Sequence, residues 1–168
     1  KLDIAKVKAE LRKGLKQDYY LTSREWPYKN VKPCILAEKY MEDTKTQELR
    51  DYKFFCFGGQ VKCYKVDFDR FIEHHTNYYN RESQLLNFGD VSFPPLHGKD
   101  FELPHNIDVM IKLSEKLSGQ IPFIRTDFYN VDGRIYFGEM TFYHFSGFGK
   151  FTSMEADIEL GKWLKIPS

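Results

Sequence analysis

The side chains best suited to chemistry lie in residues 125–141, which read RTDFYNVDGRIYFGEMT. Aromatic and β-branched residues on both sides of Asp132-Gly133 predict two strands joined by a tight turn. Asp127 and Glu139 lie inside these apolar runs. Because an unpaired charge is costly to bury, we expect another charge to compensate each of these carboxylates.

The turn decides which side chains share a face of this hairpin. Asn130 and Gly133 suit a type I turn followed by a left-handed Gly, which predicts a three-residue loop that pairs Asn130 with Arg134. The shared face then carries Arg125, Asp127, Glu139 and Thr141. We favour this register. In the alternative, a two-residue loop at Asp132-Gly133, the carboxylates lie on opposite faces, because a one-residue shift turns every side chain over.

The favoured register makes Asp127 and Glu139 diagonal neighbours within reach of one ion. Two carboxylates about 5 Å apart repel by ~3 kcal/mol at an effective dielectric constant of about 20, and a divalent cation would remove that cost. Mg²⁺ prefers oxygen ligands and retains waters and substrate phosphates. In the simpler alternative, Arg125 neutralises Glu139 while Asp127 faces water. Spacing alone leaves both open.

The elements that must position these residues follow from the periodicity of the apolar side chains. It predicts helices over residues 3–16 and 154–164, and a third from Asn106, a capping residue, to Gly119. Strands are predicted over residues 31–41, 50–57 and 61–68, with Gly58-Gly59 joining the last two. Long loops are predicted over residues 18–30 and 71–104. The predicted fold class is α+β, a mostly antiparallel sheet with helices on one face.

The composition limits the class of protein. A chain of 168 residues with 42% hydrophobic side chains suits a single domain with its own core. The 25 basic and 24 acidic residues provide no general field that would attract nucleic acid or a membrane surface. Three cysteines, Cys34, Cys56 and Cys63, form neither an even framework nor a metal-binding spacing, so we expect buried free thiols. Without a membrane span or signal peptide, we expect a cytoplasmic location.

Two short motifs, Arg125-x-Asp127 and Glu139-x-Thr141, resemble the metal-binding hairpin of ATP-grasp ligases. In that hairpin the second motif usually ends in Asn, and a Thr hydroxyl coordinates Mg²⁺ more weakly than an amide oxygen. Three longer stretches resemble the TupA-like ATP-grasp family, which is linked to teichuronopeptide and other surface-polysaccharide biosynthesis. These stretches are residues 24–41, 51–59 and 123–151.

The resemblance implies a ligase that phosphorylates a carboxylate with ATP and lets an amine displace phosphate, which forms a carbon–nitrogen bond. It implies ATP and Mg²⁺ as cofactors and a cell-surface polymer precursor as substrate. Arg125 would be catalytic and would stabilise charge on the acyl phosphate. The implied metal ligands are Asp127, Glu139 and Thr141. The implied ATP-binding residues are Glu38, Tyr40, Met41, Asp51, Lys53 and Arg70.

The same resemblance implies that the chain is the C-terminal nucleotide-binding part of an ATP-grasp fold. A second lobe, or a partner chain, would then supply the phosphate-binding loop, and this piece alone would bind nucleotide weakly. Two other functions stay open at this point. One is a glycosyl-handling enzyme that uses Asp127 and Glu139 as its carboxylate pair. The other is a non-catalytic protein that binds nucleotide or glycan.

Overall fold

The computed structural model describes residues 3–98 and 101–166 and divides the chain into two compact units, Lys1–Tyr40 and Met41–Ser168. The first unit contains α1 (Ile4–Gly14), α2 (Tyr19–Ser23) and a 3-10 turn (Trp26–Tyr28). Helix α1 begins after Asp3, whose carboxylate caps it by accepting a hydrogen bond from the backbone N–H of Lys6. The helix predicted over residues 3–16 is confirmed, whereas the loop predicted over residues 18–30 contains α2.

The strand predicted over residues 31–41 is wrong. These residues are irregular, and Leu36 and Tyr40 are each 82% exposed. Pro33 has no N–H to donate to a sheet, and the apolar run that follows it spans only Cys34 to Ala37. Cys34 lies in this segment and is exposed, so its predicted burial is also wrong. The burial predicted for the other two thiols is confirmed.

The second unit is built on a five-stranded antiparallel sheet with the order β3-β2-β1-β4-β5. The strands are β1 (Asp51–Phe57), β2 (Gln60–Phe68), β3 (His75–Asn80), β4 (Phe123–Val131) and β5 (Arg134–Thr141). The helices are α3 (Ile107–Ser118) and α4 (Met154–Trp163). The predicted α+β class with an antiparallel sheet is confirmed.

Strand β3 lies within the long loop predicted over residues 71–104, of which residues 99 and 100 lie outside the described part of the chain. Its sequence, HTNYYN, lacks the apolar alternation that reveals a strand. Asn77 is nevertheless buried, because its side chain bonds to the backbone N–H and C=O of Leu96 at 3.0 and 3.2 Å. A buried residue of this strand is therefore stabilised by hydrogen bonds to a neighbouring loop and not by apolar contacts, which is why no hydrophobic pattern reveals the strand.

The sheet has two different faces. One packs against α3 in an apolar cluster that includes Phe54, Tyr64, Met110, Ile124 and Phe128. The other is apolar only at one end, where it packs against α4 in a cluster that includes Phe55, Cys63, Tyr78 and Leu160. The prediction placed the helices on one face, whereas α4 packs on the face opposite α3. The rest of this second face carries charged residues.

The turn between β4 and β5 has two residues, and the favoured three-residue loop is wrong. Val131 pairs with Arg134, and both Asp132 (φ 50°) and Gly133 (φ 79°) adopt left-handed conformations, as a type I′ turn requires. Asp132 is also held by a distant loop: its backbone N–H donates to the carboxylate of Asp43 at 2.9 Å. Turn rules consider only neighbouring residues, so they could not predict this contact with a distant loop.

A β-bulge further along the hairpin shifts the pairing of β4 with β5 by one residue. The pairs on either side of it are Phe128–Phe137 and Thr126–Met140. Two residues, Gly138 and Glu139, therefore lie opposite the single residue Asp127, and the extra residue turns β5 over. A Cβ at Gly138 would lie 3.1 Å from the carbonyl oxygen of Asp127, so only glycine fits without displacement. The bulge returns Glu139 and Thr141 to the face of Asp127.

Candidate functional site

The centre of the charged face is the guanidinium group of Arg125. Its Nη2 atom donates to three side chains at once: Asp127 Oδ2 at 2.7 Å, Glu139 Oε1 at 3.1 Å and Thr141 Oγ1 at 2.9 Å. The four side chains therefore share one face, as predicted, although the bulge and not the turn brings them together. We call this group the Arg125 cluster.

Both carboxylate oxygens of Asp127 accept hydrogen bonds from positively charged side chains. Arg125 Nε donates to its Oδ1 at 2.8 Å, and Lys53 Nζ donates to its Oδ2 at 2.7 Å. The residue is 1% exposed, so the alternative in which it faces water is wrong. Burial alone would raise the pKa of Asp127, but Arg125 and Lys53 outweigh it and hold the pKa below its ordinary value.

Glu139 is the part of the cluster that reaches solvent, since its side chain is 63% exposed. Its Oε1 accepts from Arg125 and also, at 3.3 Å, from the hydroxyl of Thr141. An ion or phosphate group that approaches from solvent therefore meets Glu139 and Thr141 before it meets Asp127. The cluster is therefore exposed to solvent at Glu139 and buried at Asp127.

Sequence reasoning missed His144, which lies in the loop after β5. Arg125 Nη1 lies 2.8 Å from His144 Nδ1. A guanidinium has no acceptor, so Nδ1 accepts and the neutral ring carries its proton on Nε2. That Nε2 is 3.9 Å from Asp90 Oδ1, too long for a hydrogen bond, and burial lowers the pKa of His144.

The backbone after His144 is held in an unusual conformation. Phe145 (φ 47°) and Ser146 (φ 54°) are both left-handed, which is costly for residues other than glycine. Gly147 (φ 79°) continues the turn. The aromatic and Gly-rich sequence of this loop was the available signal, but it gave no indication that a histidine would contact Arg125.

A second buried network on the same face was also missed. Lys65 is 2% exposed, and its Nζ donates to Asp90 Oδ2 at 2.7 Å and lies 3.6 Å from Asp67 Oδ1. Tyr78 donates to Asp90 Oδ1 at 2.8 Å. Burial would raise the pKa of Asp90, but the nearby ring of His144, the ammonium group of Lys65 and the hydroxyl of Tyr78 together lower it to about 2. We call this group the Lys65 network.

Three of the predicted ATP-binding residues lie together beside the Arg125 cluster. Asp51 is buried, bonds to Arg70 Nη1 and lies 3.6 Å from Lys53 Nζ. Burial raises the pKa of Asp51, with partial compensation by Lys53 and Arg70. The side chain of Arg70 is 42% exposed, so this cation lies at the edge of the charged face.

The other three predicted ATP-binding residues do not lie in the strand that was expected to carry the adenine hinge. Glu38 and Tyr40 are exposed in the irregular end of the first unit, and Met41, half-buried, begins the second unit. The expected hinge was an apolar strand, which the structure lacks.

The predicted Mg²⁺ ligands are suitable in their chemistry, because two carboxylates and a hydroxyl supply hard oxygen donors. Their oxygens converge within 3.1 Å of a single point, the Nη2 atom of Arg125. Within residues 3–98 and 101–166, no group of three or more His, Cys, Asp or Glu residues is arranged to hold a metal ion. The third donor here is a hydroxyl, and the point of convergence already holds a positive group.

A cavity of about 270 Å³ is lined in part by Arg70, and two other cavities lie elsewhere in the second unit. A cavity of about 280 Å³ adjoins His144 and is lined mainly by aromatic side chains, among them Phe55, Phe123 and Phe151. A cavity of about 700 Å³ surrounds the loop at Asp43 and contains none of the predicted site residues. The cavity beside His144 is therefore the one connected to Arg125 through a hydrogen-bonded residue.

Comparison with known protein families gave a match. A family model described as TupA-like ATPgrasp matches residues 1–165. Neither curated proteins nor solved structures gave a match. In the described part of the chain, no helix has the length and apolar character needed to cross a membrane.

Proposed function

Because the chain belongs to the TupA-like ATP-grasp family, we propose that it is an ATP- and Mg²⁺-dependent carboxylate–amine ligase. Family membership indicates a ligase-type ATP-grasp function, and the formation of a carbon–nitrogen bond is our more specific proposal. One observation carries it: a single guanidinium nitrogen binds Asp127, Glu139 and Thr141 at once. Such convergence is suited to organising phosphate and metal charge.

The proposed reaction has two steps. An oxygen of the substrate carboxylate attacks the γ-phosphorus of ATP, the bond to the bridging oxygen breaks, and ADP leaves. The amine of the second substrate then attacks the acyl carbon, phosphate leaves, and the amine loses a proton. Mg²⁺, when bound, would offset the negative charge of the phosphate oxygens.

The cations of the charged face would position and stabilise phosphate. Lys53 is 11% exposed and directly neighbours Asp127, so it can meet a phosphate oxygen while it balances the carboxylates. Arg125 is held at the site by bonds through Nε, Nη1 and Nη2, which keep its charge close to the place where an acyl phosphate would form. Arg70, at the edge of the charged face, would bind the outer phosphates or the ribose end together with Asp51.

For the substrate, we propose a cell-surface polymer precursor of the teichuronopeptide type, handled in the cytoplasm. This substrate class is what the resemblance to the TupA-like family implies, and the match to that family supports the proposal to that extent. The aromatic cavity beside His144 supports it physically, because an apolar or ring-bearing part of a substrate would fit there while its carboxylate approaches Arg125.

The glycosyl-handling alternative gains no support from the electrostatics. A general acid needs a raised pKa, and Arg125 and Lys53 together hold the pKa of Asp127 below its ordinary value despite burial. Binding without catalysis remains the outcome that an inactive but nucleotide-stabilised protein would indicate.

Thermal unfolding with ATP and Mg²⁺ tests the proposal. Ligand at about 100 times its Kd stabilises by ~2.7 kcal/mol, which corresponds to roughly 5–10 °C in Tm for a chain of this size. Glu139→Gln should remove the Mg²⁺-dependent part of that increase. Because Glu139 is largely exposed, the ligand-free Tm should change by less than about 3 °C.

The matched control is Glu159→Gln, which removes an exposed glutamate paired with Lys162 on α4. This variant should keep the full increase in Tm. An identical Mg²⁺-dependent increase in wild type and Glu139→Gln would contradict the proposed metal role, and no response of the wild type to ATP would contradict the ligase proposal itself.

A further inference from the structure

The Nη2 atom of Arg125 occupies the point at which the three proposed metal-ligand oxygens converge. It lies 2.7 Å from Asp127, 3.1 Å from Glu139 and 2.9 Å from Thr141. We propose that Arg125 is a resident cation that competes with the divalent metal for these oxygens and must release them before the metal binds. The inference rests on the proposed function, which it extends by assigning a second role to Arg125.

Geometry makes the two cations mutually exclusive. Mg²⁺ needs oxygen ligands at about 2.0–2.1 Å in near-octahedral arrangement. Hydrogen bonds from Nη2, which lies within 3.1 Å of all three oxygens, engage the same atoms that such an ion would need as ligands. The metal therefore gains these ligands only when the guanidinium moves away from at least Glu139 and Thr141.

Charge leads to the same conclusion. Asp127 and Glu139 carry two negative charges, and Arg125 and Lys53 carry two positive charges within 3.1 Å of them. The Arg125 cluster together with Lys53 is therefore neutral overall, so it offers little attraction to a further divalent ion. Release of Glu139 by Arg125 restores an anionic site at the exposed side of the cluster.

His144 allows Arg125 to move without leaving the site. Its Nδ1 accepts from Nη1 at 2.8 Å, on the opposite branch of the guanidinium from Nη2. The ring is packed edge-on against Phe55 with centroids 4.9 Å apart, so it is a fixed acceptor. Arg125 can release Glu139 and Thr141, keep this bond, and remain close to the reacting phosphate.

Mn²⁺ binding in the absence of nucleotide, followed by electron paramagnetic resonance of the free ion, tests the competition. Arg125→Gln should bind Mn²⁺ at least roughly tenfold more tightly than wild type, a gain of about 1.4 kcal/mol. The matched control is Lys53→Gln, which also removes a positive charge that contacts Asp127 but touches neither Glu139 nor Thr141 among its hydrogen bonds. This control should gain clearly less affinity.

Equal or weaker Mn²⁺ binding by Arg125→Gln would overturn the proposal, and so would an equal gain in Lys53→Gln. If Arg125→Gln does not fold, the wild type decides. The Nε–H resonance of Arg125 in arginine-labelled protein should shift on addition of Mg²⁺, and an unmoved resonance overturns the proposal. Because no ATP is used, a failed ATP response would reject the ligase function separately.

Discussion

The Arg125 cluster and the Lys65 network lie on the same face of the sheet but differ in their access to solvent. Lys65 and Asp90 are both nearly completely buried, with side chains 2% and 3% exposed. The Arg125 cluster begins at the equally buried Asp127 and ends at Glu139, whose side chain is 63% exposed. We therefore call the ion pair of the Lys65 network closed, because both side chains are buried, and the Arg125 cluster open, because Glu139 is exposed to solvent.

This difference separates a structural role from a functional one. A closed pair cannot exchange partners without unfolding the protein around it, so it holds β2 to the loop that carries Asp90. An open cluster can exchange its cation for another, because one of its carboxylates, that of Glu139, is already exposed to solvent. Perturbing the closed pair should mainly change stability, and perturbing the open cluster should mainly change ligand binding.

Lys65→Met should produce the largest effect. It leaves Asp90 buried with its main counter-ion removed, and the loss of one partner from a buried pair costs about 3–5 kcal/mol of the free energy of unfolding. Urea unfolding measures this loss. Lys62→Met, on the same strand but with its ammonium bonded only to an exposed Gln60 side chain, is the matched control and should change stability little.

The double variant Lys65→Met/Asp90→Leu sharpens the first comparison, because it removes both members of the ion pair and leaves no unpaired charge at Asp90. It should recover part of the stability lost in the single variant, since Tyr78 loses its acceptor and Asp67 loses the nearby ammonium group. A loss below about 1 kcal/mol in Lys65→Met would mean that the network is not a closed structural pair.

Acid should weaken the closed pair next. The pKa of Asp90 is lowered to about 2 in the folded protein, against about 3.9 in an unfolded chain. A depressed carboxyl pKa adds stability above the unfolded value, and this stability is lost as the pH falls through the folded value. Between about pH 4 and pH 2 we therefore expect a loss of roughly 2 kcal/mol from this group.

Denaturation in urea across this pH range measures the acid effect. Asp90→Asn should show a shallower decline of the free energy of unfolding than wild type, whereas Asp157→Asn, which changes an exposed residue of α4, should decline in parallel with it. Parallel curves for wild type and Asp90→Asn would contradict the assignment.

Gly138→Ala should have the smallest effect on stability but a clear effect on the open cluster. The added Cβ would lie 3.1 Å from the carbonyl oxygen of Asp127, so we expect a cost of about 1–2 kcal/mol. Moving the bulge also moves Glu139, so the Mg²⁺-dependent increase in Tm should fall. Gly161→Ala, where a Cβ meets nothing within 4 Å, is the control. A full Mg²⁺ response in Gly138→Ala would show that the bulge does not set the site.

The sequence predicted the parts of this site that depend on local pattern. Alternation in residues 125–141 indicated two strands with carboxylates inside them, and the structure has β4 and β5 there. It also indicated that Arg125, Asp127 and Glu139 share a face. The favoured turn was wrong, yet the conclusion held, because the bulge at Gly138 adds the residue that the two-residue turn omits.

Contacts between distant segments could not be read in the same way. The bond from Arg125 to His144 joins a strand to a loop 19 residues away, and the bond from Lys65 to Asp90 spans 25 residues. Strand β3 has too many polar side chains to be recognised from a hydrophobic pattern, whereas the four apolar residues after Pro33 suggested a strand that does not form. Local propensity carries no information about these pairings.

The amino-acid sequence by itself determined that opposite charges would be buried together in this sheet, because charged residues alternate with apolar ones along its central strands. The tertiary structure alone decided which of those charges stays open to solvent and which cation occupies the centre of the oxygens. The reason is physical: strand periodicity fixes the direction of a side chain, whereas bulges and packed loops fix its neighbours.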